Sequence, residues 1–125
     1  MKRVLIVEDD ADLVALARRW LEREGYQVDH AATGSAAIEA LSQQELPDIV
    51  LLDVMLPKID GFEVLRSIRA DARTRALPVV MVTSFTRDRD VARGRELGAT
   101  DYIVKPVMEL DFLERVSRAL RKETS

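Results

Sequence analysis

Five short apolar runs recur along the chain, each followed by a stretch with helical spacing. They are Val4 to Val7, Tyr26 to Ala32, Asp48 to Leu52, Pro78 to Thr83 and Asp101 to Pro106; the second is the weakest. Their apolar residues follow one another without regular polar alternation, the pattern of strands buried on both faces. Such strands sit in parallel sheets that need helices on both sides.

The stretches between the runs supply those helices. Leu13, Leu16, Ala17, Trp20 and Leu21 form an amphipathic stripe on the first, which Gly25 is placed to stop. Ser35 is the expected cap of a second helix carrying Ala37, Ile38 and Leu41. Phe62, Leu65 and Ile68 mark a third after Gly61. The fourth, about Asp88 to Leu97, is thin: Val91 and Leu97 anchor it and Gly94 sits inside it. The fifth runs from about Glu109 to Lys122 with Leu110, Leu113 and Leu120 on its packed side. Phe112, Val116 and Ala119 form a second row, expected to meet a partner or a second copy.

Strand and helix alternating five times with right-handed crossovers predict an α/β fold. It is a (βα)5 doubly wound, five-stranded parallel sheet of order 2-1-3-4-5, flavodoxin-like. With 125 residues the whole chain, 1–125, reads as one domain that buries roughly two thirds of its unfolded surface. A net charge of −3 offers no field to attract nucleic acid, so no direct nucleic-acid binding is expected. There is no cysteine, hence no disulfide or thiolate metal site. The apolar start "MKRVLIV" stops at Glu8, too short for a signal peptide, and no run reaches membrane-span length. No membrane association and a cytoplasmic location are the expectation.

In a sheet of this order ligands bind beyond the carboxyl ends of the strands, where the strand order reverses. Polar residues collect at those ends: Glu8 and Asp9 after the first strand, Asp53 after the third, Thr83 and Lys105 after the fourth and fifth. Asp53 closes the greasy stretch "DIVLLDVMLP", where an unpaired carboxylate would be costly. Like charges ~4 Å apart repel by on the order of 4 kcal/mol at an effective dielectric near 20, so three clustered acids require a cation. Oxygen ligands with access to water suit Mg²⁺, with Mn²⁺ as a substitute, and Lys105 would supply a further positive charge.

Four segments in order, "VLIVEDD", "DIVLLDVMLPKIDG", "VVMVTS" and "DYIVKP", give the chain an end-to-end resemblance to the receiver domain of two-component and chemotaxis-like response regulators. The resemblance implies that Asp53 is the phosphoacceptor, taking a phosphoryl group from a phosphohistidine on a histidine kinase or phosphotransfer protein. It implies that Glu8, Asp9 and Asp53 hold the metal, together with the backbone carbonyl of Met55. Thr83 and Lys105 match the groups that bind the phosphoryl oxygens, and Tyr102 the aromatic that moves with Thr83. Pro106 is expected after a cis peptide. The fourth helix, fifth strand and fifth helix become the expected output surface, toward a downstream effector protein or effector domain or a homodimer. A stand-alone receiver, or one excised from a longer regulator, is the expectation; a turnover enzyme is not. Met55 and Phe85 are apolar where polar side chains can assist water, which implies slow dephosphorylation.

Other readings exist for single residues. Asp10 or Asp12 is expected simply to cap the first helix, Trp20 to be core, and His30 to be an ordinary half-exposed residue remote from the acids. A Mg²⁺-dependent phosphohydrolase would want a second acid two residues after the nucleophile, where Met55 stands. A phosphorylation-independent interaction module would not need the acids, Thr83 and Lys105 together.

Overall fold

The structure is a computed structural model; it describes residues 1–84 and 87–123, without the side chains of 122 and 123. Phe85 therefore lies outside the described residues. The elements alternate throughout: β1 (Arg3–Val7), α1 (Ala11–Arg23), β2 (Gln27–Ala31), α2 (Gly34–Leu41), β3 (Ile49–Leu52), α3 (Gly61–Ala70), β4 (Val79–Thr83), α4 (Asp88–Glu96), β5 (Asp101–Val104) and α5 (Glu109–Glu123). All five strands are parallel, in the order β2-β1-β3-β4-β5. The expected topology is the one observed.

Because successive residues of a strand face opposite sides, the sheet divides the core in two. Val4, Ile6, Leu51, Val80, Val82 and Ile103 face α1 and α5, while Leu5, Val7, Val50, Leu52, Val79 and Met81 face α2 and α3. Strands β3 and β4 are buried at every position and β1 at four of its five, as continuous apolar runs require. The edge strands β2 and β5 bury less, which explains why their runs are the least apolar.

Local chemistry sets most helix ends. The Asp10 carboxylate accepts from the amides of Asp12 and Leu13 and so caps α1. Gly25 follows the end of α1 at φ +90°, a region that glycine enters without steric cost. Thr33, not Ser35, caps α2: its hydroxyl accepts from the Ala36 amide, and the helix has already begun at Gly34. Both are cap-forming residue types, and only the extended backbone at Thr33 presents an oxygen to the free amides.

Two helix faces differ from expectation. On α1 the buried row is Val14, Ala17, Trp20 and Leu21, with Leu13 half-buried and Leu16 exposed. On α5 the row expected to meet a partner is instead core: Phe112, Val116 and Ala119 are all but inaccessible. Phe112 packs on Trp20 with ring centroids 5.7 Å apart, joining α5 to α1. Leu120 is buried with them and Leu113 half-buried, but Leu110 stands 82% exposed. The cause is helix geometry: 112, 116 and 119 lie on one stripe, and Leu110, two residues before Phe112, projects from another side.

Candidate functional site

The carboxyl ends of β1, β3, β4 and β5 meet at one rim. The ladder continues past β1 and β3, with the Glu8 amide donating to the Ala31 carbonyl and the Asp53 amide to the Val7 carbonyl. Glu8 and Asp53 thus remain in strand-like register and are drawn into the sheet end, where both are buried; Asp9, one residue on, is exposed. One carboxylate oxygen from each of Glu8, Asp9 and Asp53 can be chosen so that all lie within 4.8 Å of one another. Thr83 ends β4, almost inaccessible, and its carbonyl accepts from the Lys105 amide at 3.0 Å. That bond brings Lys105 across the rim, and its ammonium donates to Asp53 Oδ2 at 3.2 Å and pairs with Glu8 Oε1 at 2.9 Å. The Lys105–Pro106 peptide is cis.

The charges do not cancel: three carboxylates face one ammonium. Burial is the main force on Glu8, and with the Asp53 charge it lifts the carboxyl to about 7 from an ordinary 4.5, although Lys105 and the Asp10 amide pull the other way. For Lys105 burial opposes the charge, but the hydrogen bond to Glu8 and the fields of Asp53 and Glu8 outweigh it and raise the ammonium's pKa. It stays protonated. The remaining negative charge, presented by oxygens with one acid open to water, is what a hard divalent cation fits. The donor set therefore matches Mg²⁺ by its chemistry.

The Met55 amide donates to Asp53 Oδ1 at 3.2 Å, and Met55 is 62% exposed. Two residues contribute in ways the sequence did not reveal. His30 is not remote from the acids: its Nε2 lies 2.7 Å from the Glu8 carbonyl and must donate, since the carbonyl only accepts. Gly61 opens α3 hard against the Asp53 loop, where a Cβ would come within 2.8 Å of Val54 Cα. Its place in "KIDG" was the available signal.

Tyr102 lies half-buried on β5, its hydroxyl donating to the carbonyls of Asp90 and Val91 at 3.3 Å each. Burial pushes its pKa above the ordinary value, against the nearby charge of Arg95.

The same pattern is found in known proteins. The sequence profile of the response regulator receiver domain matches residues 4–117. The chain belongs to that family. This receiver domain is 38% identical over 120 residues to protein PilH of Pseudomonas aeruginosa, covering 96% of this chain and 98% of PilH. It is 41% identical over 122 residues to the DNA-binding dual master transcriptional regulator RpaA of Synechocystis, covering 98% of this chain but 50% of RpaA. The chain thus spans about half the length of several curated relatives it matches. A CheY-like response regulator receiver domain protein from Methanospirillum hungatei superposes with a TM-score of 0.91 at 31% identity, over 99% of this chain and 97% of that one. Receiver domains are signalling phosphoacceptor domains that bind Mg²⁺ at an acidic pocket, and Glu8, Asp9 and Asp53 form an acidic group that could hold a metal ion here. Among the described residues no helix is long and apolar enough to cross a membrane.

Proposed function

We propose that the protein is a Mg²⁺-dependent phosphoacceptor switch of a two-component pathway, with Asp53 as the acceptor. The observation that carries this reading is the Lys105 ammonium shared between Asp53 and Glu8, with Asp9 beside them. An Asp53 carboxylate oxygen attacks the phosphorus of a phosphohistidine on a histidine kinase or phosphotransfer protein. The P–N bond breaks, its electron pair returns to the imidazole, and an acyl phosphate remains on Asp53. Glu8, Asp9, Asp53 and the Met55 carbonyl are the residues that would hold Mg²⁺, or Mn²⁺ in its place. When bound, the ion neutralises charge on the equatorial oxygens, which is most of what phosphoryl transfer requires. Lys105 holds the Asp53 carboxylate in place before transfer and binds a phosphoryl oxygen after it. The Thr83 hydroxyl binds another, and Tyr102 follows Thr83.

The output surface in this reading is α4, β5 and the start of α5, acting on a downstream effector protein or effector domain or on a second copy. Val104, Met108 and Leu110 are its exposed apolar residues; the Phe112 row no longer belongs to it. Met55 cannot orient a water molecule, so the acyl phosphate is expected to hydrolyse slowly. Incubation with acetyl phosphate and Mg²⁺, followed by intact-mass measurement, tests the reading. One phosphoryl group should be gained by the wild type and none by Asp53→Asn; equal gain by both would end it.

A further inference from the structure

Helix α4 is tied to the rest of the protein by few contacts. Its buried residue is Gly94. Beyond that, Arg93 lies over the buried Phe62 ring of α3, 4.7 Å from its centroid, and the Tyr102 hydroxyl reaches the carbonyls of Asp90 and Val91. Tyr102 stands opposite Met81 in the β4–β5 ladder, three residues before Lys105, so it shares a strand with the phosphoacceptor rim.

The ring can approach α4 this closely because residue 94 has no side chain. A Cβ built there would overlap the Tyr102 hydroxyl oxygen outright and would lie 2.7 Å from Cζ and 3.3 Å from Cε2. These atoms belong to a rigid ring, so bond rotation within the ring cannot clear them. With any larger residue at 94, either the ring or the helix must leave its place. Glycine inside a helix is otherwise unfavourable relative to alanine. Its presence here weakens α4 in exchange for space.

We propose that Gly94 is a positioning residue of the switch: its bare Cα is the notch that seats the Tyr102 hydroxyl, so the size of residue 94 decides whether the ring lies against α4 or away from it. The switching role rests on the reading of Tyr102 given above; the seat itself does not.

Thermal melts of the wild type, Gly94→Ala, Tyr102→Ala and the double variant test the seat. Alanine at 94 should lower Tm when Tyr102 is present and raise it when Tyr102 is absent, where only helix propensity remains. NMR of ring-labelled tyrosine, before and after acetyl phosphate and Mg²⁺, tests the switching role. In Gly94→Ala the Tyr102 signals should already be displaced without phosphorylation and should move little further on it, while Asp53 is still labelled. The same Tm change in both backgrounds, or unaltered Tyr102 signals in Gly94→Ala, would overturn the proposal. Failure of the wild type to be labelled would overturn the phosphoacceptor reading and the switching role with it. The sign reversal needs no phosphoryl group and judges the seat separately.

Discussion

Glu8→Gln should stabilise the metal-free protein at pH 8 and do much less for it at pH 5. Glu8 is 2% exposed, and its carboxyl is raised from 4.5 to about 7 by burial and by Asp53. Between those pH values the folded chain holds a proton that the unfolded chain has released. Stability from this group is therefore full below 4.5, is lost as pH rises through 7, and stays lost above it. The loss is on the order of 3 kcal/mol, from about 1.4 kcal/mol per pKa unit. Glutamine has nearly the same shape and keeps an oxygen for the Asp10 amide and Lys105, while leaving Lys105 to pair with Asp53 alone. Urea unfolding in a chelator should show a gain of about 1–3 kcal/mol for the variant at pH 8, shrinking to below about 1 kcal/mol at pH 5. Saturating Mg²⁺ should reverse the order, because the wild type offers a carboxylate that glutamine lacks, and a ligand stabilises the state that binds it. A variant less stable than the wild type at pH 8 without metal, or a gain independent of pH, would refute the reasoning.

Other perturbations follow from the same geometry. Lys105→Met leaves Glu8 and Asp53 facing each other without a cation and should cost about 3 kcal/mol in metal-free urea unfolding at pH 8; no loss would show that the ammonium does not hold the pair. Phe112→Ala removes a ring packed on Trp20 and should cost about 3–5 kcal/mol, whereas Leu110→Ala at an exposed position should stay within about 0.5 kcal/mol. Comparable melting temperatures for the two would restore the Phe112 row to the surface. Wild-type acyl phosphate, followed by intact mass after removal of acetyl phosphate, should outlast that of Met55→Glu; equal decay would remove Met55 from the control of lifetime.

The site was more legible in the sequence than the helix faces that support it. Runs such as "IVLL" and "VVMV" can be satisfied only by burial on both sides, which gives the parallel sheet, and its topology sends residues 8, 53, 83 and 105 to one rim. On helix α5 residues 112, 113, 116, 119 and 120 keep one helical stripe and Leu110 falls outside it, so the spacing favours the face that is buried. Leu110 and Phe112 are both apolar, but two residues apart they project from different sides of the helix. Ser35 was the expected cap and Thr33 is the observed one: both residue types suit the role, and backbone direction decides. The His30 contact with Glu8 and the fit of Tyr102 against Gly94 join positions 22 and 8 residues apart through tertiary structure. No local pattern encodes either. A lone histidine on an edge strand and a glycine in a weak helix look incidental until the fold sets their neighbours beside them.

The most direct measurement is localisation of the phosphoryl group. The protein is treated with acetyl phosphate in Mg²⁺ or in chelator, digested, and sequenced by tandem mass spectrometry. The account predicts a single acyl phosphate on Asp53, formed only with the divalent ion and abolished by Asp9→Asn together with Glu8→Gln. A phosphoryl group on any other residue, or equal labelling of Asp53 in chelator, would contradict it.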